Sequence, residues 1–200
     1  VALPRLSIEN ATLVAAQRFD RAIAIESSED DAYYNSGGTF ATLVGPTSAG
    51  LGVDGVLIAR TAAGTSGDID LFVGIDADAD GLADEDEELC RSATSGNEES
   101  CQVDTWFSSS DQRYWVLVQR YSGTASAQIE IETAHIPSAN STDSSLAMTG
   151  PRVLDRLAAF KTRVAWNAPW LDVGQTAYAI GRFGATQTRS SGVGEVLVSI

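Results

Sequence analysis

The sequence predicts an all-β protein: a β-sandwich with an acidic loop inserted between strands, followed by a smaller β-sandwich-like C-terminal region. Three observations predict it. Short runs of β-forming residues recur between clusters of Gly, Ser, Asp and Asn; apolar and polar residues alternate where a strand would be half exposed; and only one segment carries helical spacing.

In chain order, the strand-like runs before the acidic loop are residues 11–15, 21–26, 40–44, 53–59 and 69–75. After it come 113–121, 126–133, 160–166, 175–182 and 195–200. Tyr114-Trp115-Val116-Leu117-Val118 is apolar at every position, the mark of a strand buried on both faces. Ala127, Ile129, Ile131 and Thr133 instead alternate with Gln128, Glu130 and Glu132, the mark of a half-exposed one. Residues 151–160, with Val153, Leu154, Leu157 and Ala158, are the single helix candidate.

Residues 136–145 lack aromatics and are rich in Ser, Asn and Thr, which makes them the linker. The expected domains are therefore 1–137 and 138–200. The second is thin for an independent sandwich, so it is a small domain, a truncated one, or a sheet completed by N-terminal strands. Val1 opens without a leader and Ile200 closes on an intact strand pattern, so a longer parent chain is expected. No apolar run approaches the roughly 20 residues that span a bilayer, and the expectation is a soluble protein.

The formal charge is −14, and residues 68–88 hold ten of the 27 acids and no base. Elsewhere 17 acids face 13 Lys and Arg, so the rest is only mildly acidic. Nucleic acid and anionic membrane are not expected partners.

Within that stretch, Asp76-Ala77-Asp78-Ala79-Asp80-Gly81-Leu82-Ala83-Asp84-Glu85-Asp86-Glu87 matches D-x-D-x-D-G-x5-E at every specified position. A hard cation such as Ca²⁺ takes six to eight oxygens at about 2.3–2.6 Å, and one turn of chain supplies them. Asp76, Asp78 and Asp80 offer carboxylates, Gly81 the sharp turn, Leu82 its backbone carbonyl, Asp84 a direct or water-mediated contact, and Glu87 the two oxygens of position twelve. A solvated acidic loop is the alternative, but it would not also place Gly at six and Glu at twelve. The preceding Ile69-Asp70-Leu71-Phe72-Val73-Gly74-Ile75 is strand-like, so an EF-hand with its helix pair is not expected. The ion would be structural.

Cys90 and Cys101 are the only cysteines and bracket a turn-rich stretch. A disulfide is the natural reading, against two buried thiols in a cytosolic protein. Weak calcium sites fill at the millimolar calcium outside cells, so loop and cysteine pair agree on a secreted protein.

His135 is the only histidine, so any Ser-His-Asp, Cys-His or zinc site would have to use it. It sits beside the linker with no metal-ligand spacing around it. Gly50-Leu51-Gly52-Val53-Asp54-Gly55 satisfies G-x-G-x-x-G but precedes a strand-like run, not a helix, and Gly64-Thr65-Ser66-Gly67 is likewise a turn before a strand. The carboxylates are better explained as ion ligands than as a glycosidase pair. No enzyme activity is expected of this chain. Aromatics near presumed loops, Trp170, Tyr33, Tyr34, Trp106 and Phe107, offer a binding platform for carbohydrate or protein, or else fill the core.

Asp68-Ile69-Asp70-Leu71-Phe72-Val73, the acidic loop, the cysteine segment with Asn97-Glu98-Glu99, and Tyr114-Trp115-Val116-Leu117-Val118 followed by Tyr121-Ser122-Gly123 occur in that order. As an ordered set over residues 20–133 they resemble the prepeptidase C-terminal (PPC) domain of secreted bacterial subtilisin-like serine proteases. Val164-Ala165-Trp166-Asn167 and Tyr178-Ala179-Ile180-Gly181 are similar to the fibronectin-III-like segment that often follows it. The resemblance implies a β-sandwich or jelly roll, calcium on Asp76, Asp78, Asp80, Leu82, Asp84 and Glu87, and Asp68, Asp70, Glu98 and Glu99 as outer-shell or second-site carboxylates. It implies a non-catalytic accessory role in substrate or surface binding, secretion or stability, with the parent catalytic domain and a protein substrate or insoluble polymer as partners. The alternative is a carbohydrate-binding module of an extracellular enzyme.

Overall fold

Alternation along the sequence becomes a set of antiparallel sheets with no α-helix among the described residues. A computed structural model describes residues 7–8, 11–25, 33, 37–46, 52, 54–63, 67–123, 128–137, 145–151, 153, 159–184 and 194–200. The strands are β1 (Ser7–Ile8), β2 (Val14–Ala15), β3 (Gln17–Ala22), β4 (Thr39–Val44), β5 (Asp54–Ala63), β6 (Gly67–Asp76) and β7 (Glu88–Ser92). They continue with β8 (Ser100–Trp106), β9 (Arg113–Gly123), β10 (Gln128–Pro137), β11 (Leu146–Thr149), β12 (Arg163–Trp166), β13 (Ala177–Gly184) and β14 (Gly194–Ser199). The all-β expectation is met.

The chain forms two compact units, Gln17–Ala139 and a second built from Val1–Ala16 with Asn140–Ile200. The domains expected from the sequence divide at residue 137, with N-terminal strands as one way to complete the second. β1 and β2 pair with β13, and Ala11 bridges Leu146, so the chain's first strands lie in the C-terminal sheet. Order there is β1-β13-β14 with β2 also on β13, beside a separate β11-β12 pair. Leu13, Leu146, Met148, Ala177 and Ala179 are its buried centre.

The larger unit is a sandwich of two four-stranded sheets, β3-β10-β5-β8 and β4-β9-β6-β7. Leu57 and Ala59, Val103, and Ile129 and Ile131 come from the first sheet; Ile69, Leu71 and Val73 with Val116 and Val118 come from the second, and all meet in one core. The second sheet buries its other face as well, because Phe72, Trp115 and Leu117 on alternate positions of β6 and β9 pack with Ala83 of the acidic loop and Tyr33. That is why Tyr114 to Val118 is apolar throughout.

Four strands lie outside the runs expected from the sequence: the short β1 and β11, and β7 and β8 on either side of the cysteine loop. β8 alternates cleanly, with Cys101, Val103 and Thr105 inside, but its outward Ser, Gln and Asp made it read as loop. The helix candidate 151–160 falls largely outside the described residues. No helix among the described residues is long and apolar enough to cross a membrane.

Cys90 on β7 and Cys101 on β8 form a disulfide. Since β7 edges one sheet and β8 the other, the bond staples the sandwich along one side. Replacing both cysteines with alanine should lower stability by about 2–3 kcal/mol, the loop-closure value for so short a ring. Urea unfolding of the pair variant checks this, and an unchanged midpoint would contradict it.

Candidate metal centre

β6 ends at Asp76, and its register with β9, Asp76 opposite Arg113, delivers that carboxylate to the rim of the sheet. The chain then turns sharply. Gly81 sits at φ 79° and Ala79 at φ 63°, left-handed conformations that cost Gly little and Ala more. The loop's own carboxylates accept its amides: Gly81 N–H donates to Asp76 Oδ1 at 3.3 Å, Asp80 N–H to Asp78 Oδ1 at 3.1 Å, and Leu82 N–H to Asp80 Oδ1 at 2.7 Å. Asp76, Asp78 and Asp80 thereby bring one oxygen each to within 4.8 Å of one another. An all-oxygen set of carboxylates is the donor chemistry that a hard divalent cation takes.

Asp84 faces the same cluster. Desolvation and the carboxylates of Asp80, Glu87, Asp78 and Asp86 hold its pKa above the ordinary value. Leu82, proposed for its carbonyl, keeps its side chain in solvent. Behind the loop a shallow pocket is lined by Ile75, Asp78, Asp84, Asp86 and Glu87, among others.

Glu87 is held in place by three hydrogen bonds. Its Oε1 accepts the Ala77 amide at 2.6 Å and the Asp78 amide at 3.4 Å, while Oε2 accepts the Trp115 indole N–H at 3.0 Å. The last acid of the motif closes the loop onto its first turn and fastens both to β9. Trp115 reaches it across Gly74, where a Cβ would stand 2.0 Å from the ring. Gly74 is a site of close approach in a long strand, not a break in it.

The other acids have structural partners. Asp68 accepts the Gly96 amide at 3.0 Å and Ile69 N–H donates to Gly96 O at 2.7 Å, which holds the cysteine loop against β6. Glu99, buried, accepts from the hydroxyls of Ser92 and Thr94, the latter at 2.5 Å. Asp70 is buried on β6 and Glu98 is exposed. None of the four joins the cluster of Asp76, Asp78 and Asp80.

Of the expected platform aromatics, Trp106 and Trp170 are open, at 49 % and 45 % exposure, and Trp166, which the sequence reading did not select, is also exposed. Phe107 is fully buried in the sandwich core, so the core alternative holds for it. Tyr33 is turned inward: its ring meets Phe72 and Trp115 edge-on and its hydroxyl donates to Glu88. Burial and the neighbouring Glu88 carboxylate raise its pKa, so it stays a neutral phenol, while Arg91 clasps Glu88 at 2.9 Å and lies over the Phe72 ring. Tyr34 lies outside the described residues.

His135 points into the sandwich, where its Nε2 shares a hydrogen bond with Thr105 Oγ1 at 2.9 Å and Phe107 packs edge-on. Its Nδ1 is buried without a hydrogen-bond partner. The glycine-rich stretch before it in sequence leads into β5 at Asp54, so no nucleotide-binding helix follows. Gly55 leaves room for the imidazole, since a Cβ there would stand 2.5 Å from Nε2. No protein-family model matches this chain, and no curated protein matches it either.

Burial lowers the His135 pKa below 6.5. The unfolded chain therefore takes up a proton that the folded one refuses, and stability present above pH 6.5 is lost as pH falls from there towards the folded pKa. His135→Gln should flatten that loss, removing a slope of at most about 1.4 kcal/mol per pH unit. Urea midpoints of both proteins at pH 7.5 and 5 check it; parallel behaviour would contradict it.

Proposed function

We propose that this chain is a calcium-stabilised, non-catalytic module of a secreted protein, with the ion held by Asp76, Asp78 and Asp80 and completed by Asp84, Glu87 and the Leu82 carbonyl. The observation that carries the reading is the convergence of those three carboxylates at the end of a strand buried on both faces. Positive charge to relieve the mutual repulsion of the eight acids of residues 76–88 is what the ion supplies. The disulfide and a site of modest affinity suit an oxidising, calcium-rich exterior. The only histidine is enclosed in the core, which supports a role without acid–base or nucleophilic catalysis.

The resemblance to PPC domains supplies the context: an accessory region of an exported subtilisin-like protease, serving binding, secretion or stability of the parent enzyme. Exposed Trp106, Trp166 and Trp170 favour a second reading, a carbohydrate-binding module, because indole faces in solvent stack on sugar rings.

Saturating calcium at about 100 times the dissociation constant should raise the unfolding temperature by about 5–10 °C, and chelator should reverse it. Asp78→Asn should remove most of that shift. Identical melting with calcium and with chelator would sink the reading. For the module's target, retention on insoluble polysaccharide against retention on collagen or casein separates the two contexts. Trp170→Ala should weaken whichever retention is real, and unchanged retention counts against the platform.

A further inference from the structure

We propose that Arg120 forms an anion site at one end of the larger unit's sandwich, which takes a small planar oxyanion of the carboxylate class. The site stands apart from the acidic loop and does not depend on the calcium reading.

Val116 and Val118 of β9 lie in the core shared by the two sheets, and strand alternation turns Arg120 inward with them. It is fully buried, and its register partner on β6 is Ile69. Its own amide donates to Gly38 O at 3.2 Å and its Nη1 to Ile23 O at 3.0 Å, so it stands where β3 has just ended and β4 is about to begin. Its Nε and Nη2 are buried without a hydrogen-bond partner. Those two donors make up the edge of the guanidinium whose N–H bonds run parallel, the edge that matches the two oxygens of a carboxylate.

A guanidinium cannot shed its proton in a protein, so burial does not neutralise it. An uncompensated buried charge is strongly destabilising, and one backbone carbonyl does not answer it. The neighbouring acid of β6, Asp70, lies on the opposite face of the sheet, since Ile69 and Leu71 on either side of it face the core. Asp68 is committed to the Gly96 amide. A second cation, Arg21, comes from β3 two residues before Ile23; its guanidinium lies over the Phe19 and Phe40 rings and bonds a backbone carbonyl, Asp20 O. Among the described residues neither arginine has a carboxylate within ion-pair distance. An anion entering here meets a desolvated, forked donor pair, and it must be small to sit between Ile23, Ile69 and the backbone at Gly38.

Thermal unfolding of the full chain tests this with sodium formate as the probe, replaced by sodium pivalate, a carboxylate too bulky for the site, to keep ionic strength constant. The wild type should melt about 3–5 °C higher at a formate concentration about ten times the dissociation constant. Arg120→Met fills similar space without charge or donors and should melt alike in both salts. Arg120→Lys keeps the charge without the fork and should lose most of the rise. A wild type that melts alike in formate and pivalate overturns the proposal, and so does a full formate rise in either variant. Where neither variant folds, the wild type decides alone: the Arg120 Nε proton should move downfield and exchange more slowly as formate is added, and an unmoved resonance overturns the proposal. A crystal structure grown in formate with a carboxylate of the chain itself on the Nε and Nη2 edge would overturn it too. Failure on any of these counts leaves the calcium reading standing, because none of them reads the acidic loop.

Discussion

The hydrogen bond from the Trp115 indole to the Glu87 carboxylate ties the most repulsive stretch of the chain to one of its most buried strands. On one side of it are eight carboxylates in residues 76–88 with no base among them. On the other is a sheet whose two faces are both packed, one against the partner sheet and one under Tyr33 and Ala83. Unpaired charges that close together would splay a free loop. Here the loop's path is set by the sheet, and its carboxylates are left pointing at one another, which is the state a divalent cation relieves.

Charge is divided unevenly between the two units. The Gln17–Ala139 unit holds 22 of the acids and six of the Lys and Arg, while the other holds five acids and seven bases. A field of that sign concentrates cations around the larger unit, and its deepest point is the loop. The smaller unit has no such store of charge and presents tryptophans to solvent instead.

Local signals were legible in the sequence and distant ones were not. The loop's carboxylates, its turn at Gly81 and its strand setting all lie close together in the chain, and alternation at Ile129 and Ile131 is visible by eye. The partner of Glu87 lies 28 residues away on a strand recognisable only as apolar, so nothing nearby marks the indole as a donor to the loop. Gly74 reads as a strand breaker until the ring above it is seen. β7 and β8 were missed because they are short and polar on one face, and because a cysteine pair invites a reading as loop. The pairing of β2 with β13 joins the two ends of the chain, and no local pattern encodes it.

The central claim is that the acidic loop is a calcium site built on an all-β frame. An anomalous difference map from a crystal of this chain grown with calcium tests it most directly. A peak about 2.3–2.6 Å from the carboxylate oxygens of Asp76, Asp78 and Asp80 is the expected result. A map with no peak at that loop, or with calcium bound only at Asp68, Glu98 or Glu99, would contradict it.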